Sequence, residues 1–428
     1  MKNPTKRCLL FVSIFICSLF VVNVYAQDTV LASVEKKATE KPVVKATTEG
    51  ERIEMPHEQT DPKTEDKKAD EEEETPTFTV SGSVDTYART AFGYVNPFMD
   101  GASAPSTSFS DLKGFSLGMV NLITSYSGEK VGFVGDLVFG PRGKAAVFGT
   151  ASGQAIVNQL LIYYKVTPKF TFNLGQFNTF LGYEVISPAV NFHYSTSYMF
   201  SWGPFNHTGA RADFDLGNGM VAKLAVMNPT DIVEFNPVNT YTLGGQLGYS
   251  NDKGSIYLNV LYGDQDGTLD TDDYAGEPMA SAGTLFQADI TTGWSISDKF
   301  FLGINTTIQS TAPGEQFTAA GAVEDVTGDG SSFVGFALYP KITLSESFAL
   351  GLRAEQFMVK NYHLGIFGLT DAGDGSVTEF TLSGNYKSGG LTLIPEIRID
   401  KTSENSFMKG TSQKDLMPSL TLAAVYKF

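Results

Sequence analysis

The chain has 428 residues, a formal net charge of −16 and a hydrophobic fraction of 42%. A chain this acidic argues against nucleic acid as a partner, because phosphates demand a basic surface. Its two cysteines, Cys8 and Cys17, both fall within the first 26 residues, so the remainder can hold neither a disulfide nor a thiolate metal site.

Lys2, Lys6 and Arg7 make a basic start, residues 9–22 are apolar, and Val24-Tyr25-Ala26 offers the small-residue pattern that signal peptidase reads. Residues 1–26 are therefore expected to be a signal peptide cleaved before Gln27. A membrane anchor is the competing reading, but the apolar run is short for a helical span. A lipoprotein signal needs a small residue before its cysteine, whereas Ile16 precedes Cys17. Residues 27–77 carry 15 acidic and 8 basic side chains and include the run Glu71-Glu72-Glu73-Glu74. With so little apolar surface to offset chain entropy, this stretch is expected to be a disordered acidic tail, a solvated spacer in the periplasm. The signal contributes +3 and the tail −7, which leaves −12 for the rest of the chain.

From Phe78 onward, glycine, threonine, serine, asparagine and aromatics dominate, and no apolar run approaches the roughly 20 residues of a membrane helix. Alternation replaces it. Phe78, Val80, Val84 and Ala88 alternate with Thr79, Ser81, Ser83, Asp85, Tyr87 and Arg89, and the same sense recurs at residues 209–216, 348–355 and 391–400. A soluble sandwich also has two-faced strands, so alternation alone leaves the choice open. The connections between strands discriminate. About sixteen segments of membrane-strand length can be read, centred near residues 83, 120, 135, 160, 173, 211, 224, 245, 259, 289, 304, 338, 353, 381, 396 and 422. Tight turns such as Gly217-Asn218-Gly219 and Ser297-Asp298-Lys299 alternate with long connections at 90–113, 140–154, 178–204, 263–283, 310–331, 359–376 and 401–416, and a shorter one near 228–239. Short-long alternation is the pattern of an all-β transmembrane antiparallel barrel with periplasmic turns and extracellular loops. Residues 78–428 are expected to form it, with both termini periplasmic. Tyr126, Phe170, Tyr249, Phe300, Tyr339, Phe348 and Tyr386 lie near strand ends and are expected in interfacial girdles. The last segment puts Leu420, Leu422, Ala424, Tyr426 and Phe428 in one register, and a final strand ending in Phe looks like the signature read by the barrel-assembly machinery.

Between Leu174 and Leu216 the chain carries Gly175-Gln176-Phe177, Gly182-Tyr183-Glu184, residues 191–198 (Asn-Phe-His-Tyr-Ser-Thr-Ser-Tyr) and residues 203–209 (Gly-Pro-Phe-Asn-His-Thr-Gly). This block resembles the OmpL-like family of outer-membrane β-barrel porins. The resemblance implies passive diffusion of small hydrophilic solutes or ions through the barrel, without identifying a solute. Outer-membrane lipid is the implied surrounding, and an oligomer is compatible with it. A structural or surface-binding barrel is the alternative, and an outer-membrane enzyme is a more distant one.

Residues 178–204 hold too many aromatics for a free loop, among them Phe180, Tyr183, Phe192, Tyr194, Tyr198, Phe200 and Trp202. Their nearest shelter is the lumen, so the loop is expected to fold inward and narrow the pore at Tyr183, Glu184, His193 and Tyr194, the bland alternative being a cap outside. A buried Glu184 carboxylate needs a partner, and Arg211 is the first candidate. Asp85, Arg89, Arg211, Asp213, Lys223, Arg353, Glu355, Glu396 and Arg398 are expected to line the pore; together with Lys165, Asp136, Asp215, Asp289, Glu379 and Asp400, the inward charges lean acidic, which implies a modest cation preference. The carboxylates of residues 264–273 would suit calcium, but Ala275 stands where a calcium loop carries its bidentate glutamate. No cofactor, metal or catalytic group is expected, since no motif ties His193, His207 or His363 to a nucleophile and a carboxylate. Because residues 27–77 lack packing groups, their deletion is expected to leave a heat-modifiable, folded barrel on gel electrophoresis; a chain that no longer folds would show an assembly role for the tail.

Overall fold

The computed structural model describes residues 76–94, 106–147, 156–236, 240–265, 283–317, 323–325, 330–361 and 373–428. The signal peptide, nearly all of the acidic tail, His363 and most of the acidic loop 264–273 lie outside the described residues.

Sixteen strands close into one antiparallel barrel: β1 Thr77–Thr90, β2 Gly114–Ser127, β3 Val131–Phe139, β4 Val157–Thr167, β5 Phe170–Asn178, β6 Asn206–Gly217, β7 Met220–Met227, β8 Thr242–Asn251, β9 Gly254–Asp264, β10 Thr284–Ser295, β11 Phe300–Thr311, β14 Ser331–Ser345, β15 Phe348–Lys360, β16 Gly375–Ser388, β17 Leu391–Thr402 and β20 Leu416–Lys427. Each contains one of the sixteen centres read from the sequence. Two small hairpins sit in the long connections, β12 Glu315–Phe317 with β13 Val323–Asp325, and β18 Phe407–Lys409 with β19 Ser412–Lys414. Two short helices, α1 Pro141–Ala146 and α2 Tyr198–Trp202, occupy the second and third long connections. None of these four small elements carries enough periodic sequence to announce itself.

Closure removes the exposed sheet edges that an open sheet would have. β1 pairs with β20 from Ser83↔Lys427 to Thr90↔Leu420, and Gly82 and Phe428 exchange two backbone hydrogen bonds of 2.9 and 3.0 Å. Successive strands run antiparallel around the closed order, so the tight turns share one end of the barrel. At Gly217-Asn218-Gly219 all three residues have positive φ, from 54° to 81°, which explains why two glycines and an asparagine link β6 to β7.

The faces are inverted relative to a soluble protein. Phe115, Leu117, Leu160, Ile162, Leu224 and Leu422 are all more than half exposed on the outside, whereas Asp85, Asp136, Asp289, Glu379 and Glu396 are buried inside. A soluble sandwich would bury the first set and expose the second, so the outer band is built for lipid. Phe78, Phe300 and Tyr386 are exposed near strand ends, as the girdle reading expects. Tyr339 corrects that reading: only 4% exposed, it faces inward and stacks on Tyr183 with ring centroids 4.1 Å apart. It shares the inward parity of Phe333 and Ala337, which outweighs its nearness to a strand end.

Candidate functional site

The connection from β5 to β6, residues 179–205, turns into the barrel. At its base Thr179 N–H donates to the Phe205 carbonyl (2.9 Å), and His207 Nε2 lies 3.0 Å from Thr179 Oγ1. Asp231, in the next long connection, accepts the Phe205 and Asn206 amides, both at 2.8 Å. Burial pushes the Asp231 carboxyl up to about 6 against the opposing pull of those two amides.

Beyond its base, the loop travels along the inner wall. Gln246 on β8 donates to the Phe180 carbonyl (3.1 Å), and Asp289 on β10 accepts the Gly182 amide (3.0 Å). Asn385 on β16 donates to the Phe192 carbonyl (2.8 Å). An irregular segment has no ladder to satisfy its backbone, so each amide carried into the barrel requires another acceptor. Carboxylates provide most of them. Glu396 accepts Tyr194 N–H (2.9 Å) and Ser195 N–H (3.2 Å), Glu184 accepts Ser197 N–H (2.7 Å), and Glu355 accepts Tyr198 N–H and Met199 N–H, each at 2.7 Å. Two tyrosines add side-chain ties, Tyr194 to Asp85 (2.6 Å) and Tyr198 to Asp400 (2.9 Å).

Arginines answer these carboxylates. The fully buried Arg353 donates Nε to Glu379 (3.0 Å), Nη1 to Glu184 (2.7 Å) and to the Ser195 carbonyl (2.6 Å), and Nη2 to Thr381 (3.1 Å). Arg398 forks onto Asp400 and donates to the Thr196 carbonyl (2.7 Å). The expected Glu184–Arg211 pair is therefore corrected: Glu184 pairs with Arg353, while Arg211 holds its strand neighbour Asp213 through two contacts of 2.8 Å. Proximity in sequence favoured Arg211, but the loop crosses the barrel before Glu184 is reached.

The wall makes room for the loop with glycines. Gly244, Gly303, Gly335 and Gly351 all face inward, and a Cβ on each would collide with Phe180, Tyr183, Met199 and Phe192 respectively. No role for these four glycines was read from the sequence. The signal available was their inward parity, shared on β8, β14 and β15 with Gln246, Tyr339 and Glu355, which also meet the loop. From the other side, Arg142 of α1 donates to the carbonyls of Ile186 (3.0 Å) and Tyr194 (3.2 Å), and Phe109 packs on Phe200 and Phe205. Three long connections thus meet inside the barrel mouth.

Of the four expected constriction residues, Glu184, His193 and Tyr194 are buried and Tyr183 is partly buried, all within the loop packed on the wall. Of the expected lining residues, Asp85, Arg211, Arg353, Glu355, Glu396 and Arg398 face inward yet are under 9% exposed. They do not form an open, wetted wall: five of them hold the loop or the Asp85 tie, and Arg211 holds Asp213. Arg89, Asp213 and Lys223 keep intermediate exposure.

His193 Nδ1 lies 2.8 Å from Ser383 Oγ, which donates to Glu396 (2.8 Å). In a hydrolytic triad the imidazole stands between serine and carboxylate; here the serine stands between the other two and is fully buried. Burial, reinforced by the charges of Arg353 and Arg398, holds the His193 ring well below the ordinary imidazole range and hence neutral. The three act as a strut. Among the described residues no group of three or more His, Cys, Asp or Glu side chains is arranged to hold a metal.

The sequence profile of the family described as "Putative beta-barrel porin-2, OmpL-like" matches residues 77–428. The chain belongs to this porin family. Among solved structures, the outer membrane channel DcaP of Acinetobacter baumannii aligns at 12% identity and a TM-score of 0.52, covering 82% of this chain and 97% of that one. The anion-selective porin from Comamonas acidovorans aligns at 11% identity and a TM-score of 0.52, covering 82% and 100%. OmpT of Vibrio cholerae, an outer-membrane protein, aligns at 12% identity and 0.50, covering 84% and 99%. At such identities the likeness is one of fold: this OmpL-like porin shares the closed antiparallel barrel. No curated protein matches the chain.

Two measurements test this loop anchorage. Arg353→Met leaves the Glu184 and Glu379 carboxylates buried without their cation, which is expected to cost about 3–5 kcal/mol; urea unfolding from lipid vesicles reads it. Arg353→Lys, with three donors and no planar fork, is expected to recover only part of the loss. Gly335→Val, directed at Met199, is expected to displace the loop and speed proteolysis within residues 179–205; an unchanged cleavage rate would show that the socket is dispensable.

Proposed function

We propose that this protein is an outer-membrane porin through which small hydrophilic solutes or ions diffuse passively, with residues 178–204 as its constriction. The observation that carries the constriction is the seating of that loop on the inner faces of β8, β10 and β14–β17, where Glu184 meets Arg353 at 2.7 Å. A mobile cap would need neither glycine sockets nor five amides held by carboxylates. Tyr183, Glu184, His193 and Tyr194 belong to this segment, and on this reading they set how much of the lumen is left.

The remaining assignments complete the reading. Residues 1–26 direct export and are removed, residues 27–77 extend into the periplasm, and the tight-turn end of the barrel faces the same compartment with both termini. Phe428, next to Gly82 at the closing seam, offers its C-terminal segment to the barrel-assembly machinery. A barrel of this kind sits in outer-membrane lipid and can assemble as an oligomer.

One observation favours the runner-up, a structural or surface-binding barrel: most inward side chains from β8 to β20 are buried, so the loop half of the interior is well filled. Single-channel recording in a planar bilayer separates the two. The folded protein is expected to conduct, and excising residues 185–200 is expected to enlarge the unit conductance, since the sixteen strands close without the loop. A correctly folded deletion variant with unchanged conductance would remove the constriction, and a folded parent that never conducts would leave the structural barrel.

A further inference from the structure

From Thr79 through Ser81, Ser83, Asp85 and Tyr87 to Arg89, every inward side chain of β1 carries a hydroxyl, a carboxylate or a guanidinium. Thr79 and Ser81 near one end of this row and Arg89 at the other remain accessible, whereas Ser83 is 2%, Asp85 8% and Tyr87 5% exposed. The closed stretch is short. Other parts of the wall are packed dry or locked by charge: Phe180 and Leu181 lie on Leu161, Phe177, Met227 and Leu261 between β4 and β9, and Arg353 and Glu355 hold the loop to β15.

Tyr194 closes the row. Its hydroxyl donates to Asp85 (2.6 Å) and its ring centroid lies 5.3 Å from that of Tyr87, completing an apolar collar with Ala423 and Val425 of β20. On the loop side of this collar a cleft of about 30 Å³, room enough for water, is lined by Arg89, Ser110, Arg398, Ser419 and Thr421. Ser110 Oγ in that cleft has no hydrogen-bond partner, and neither has Ser83 Oγ on the tight-turn side of the collar, although both are buried. Buried hydroxyls are rarely left so, and water entering from the two ends of the row would satisfy both. The backbone of Tyr194 is pinned, its N–H by Glu396 (2.9 Å) and its carbonyl by Arg142 (3.2 Å). Its side chain hangs on one hydrogen bond. Arg142, whose charge acts on Asp85 and whose Nη2 is buried without a partner, is the donor available to that carboxylate when the tyrosine is elsewhere.

We propose that solutes pass the loop along the inner face of β1 and that the side chain of Tyr194 is the gate on this path, closed while its hydroxyl holds Asp85 and open when its ring swings off Tyr87. This rests on the porin reading above and goes further, since it names one path and one moving group. The hydroxyls of the row replace part of a solute's hydration shell, and the collar, wetted only when Tyr194 leaves, decides when the solute can cross. The loop backbone stays seated in both states, so the amides held by carboxylates and the glycine sockets are compatible with a pore that opens.

The test uses thiol chemistry, because the chain beyond residue 26 contains no cysteine. In a planar bilayer, Ser83→Cys treated with a charged methanethiosulfonate is expected to lose about half or more of its unit current, since the adduct stands in the path. Ala337→Cys, fully buried in the cluster with Tyr198 and Met199 of the loop, is expected to keep its current under the same treatment. Tyr194→Phe keeps the ring and loses the bond to a carboxylate, so labelling of Ser83→Cys in that background is expected to accelerate about tenfold. Tyr194→Ala is expected to raise the unit conductance about twofold, and if it does not fold, Tyr194→Phe carries the test alone. An unaffected current in Ser83→Cys, an equal block in Ala337→Cys, a labelling rate unmoved by Tyr194→Phe, or a folded Tyr194→Ala with the parent conductance overturns the gated path along β1 while leaving the porin reading intact. A folded parent with no conductance overturns the porin reading, and this inference with it.

Discussion

Backbone amides carried into a barrel on a non-helical, non-strand segment must find acceptors there, and this single requirement organises the interior. Residues 194–199 present five such amides within six positions, and three carboxylates, Glu396, Glu184 and Glu355, accept them. Carboxylates at this depth need cations of their own. Arg353 serves two of the buried acids at once and also binds the loop backbone at Ser195, so wall, loop and charge balance meet in one guanidinium. Lysine could not reproduce that planar arrangement of donors.

The packing follows from the same seat. A chain held this close to the wall leaves no room for wall side chains beneath it, and the glycines under Phe180, Tyr183, Phe192 and Met199 accommodate the contact. The aromatic load of the loop is then buried by stacking and by apolar contact, as Tyr183 on Tyr339 and Tyr198 near Phe357 show. Polar and apolar requirements are met by alternate positions of the same strands. On β15, Arg353 and Glu355 hold the loop electrostatically, while Phe357 and Val359, next on the inward face, pack beneath it.

Fixing the loop in this way separates two uses of charge. Acidic side chains are consumed where the loop backbone needs acceptors, and buried arginines where those carboxylates need cations. Net charge by itself therefore says little about what passes through such a barrel. Exposure decides which charges a solute experiences, and exposure depends on where the loop lies.

The sequence alone determined the barrel. Period-two alternation with apolar residues outward, sixteen segments of spanning length, and turns that alternate short with long are local properties, each readable within a dozen residues, and all sixteen strands form around the centres they mark. The aromatic density of residues 178–204 likewise signalled an inward fold, and Glu184 signalled a charged partner. Only the tertiary structure decided which partner. Arg353 lies 169 positions from Glu184, and nothing local distinguishes it from Arg211. The same limit hid Tyr339, whose position near a strand end suggested an interfacial ring, and the four inward glycines, which look like any barrel glycines until a loop side chain rests on them. Strand parity tells which way a residue points, but what lies opposite it across a closed barrel depends on the path of a segment that belongs to no strand.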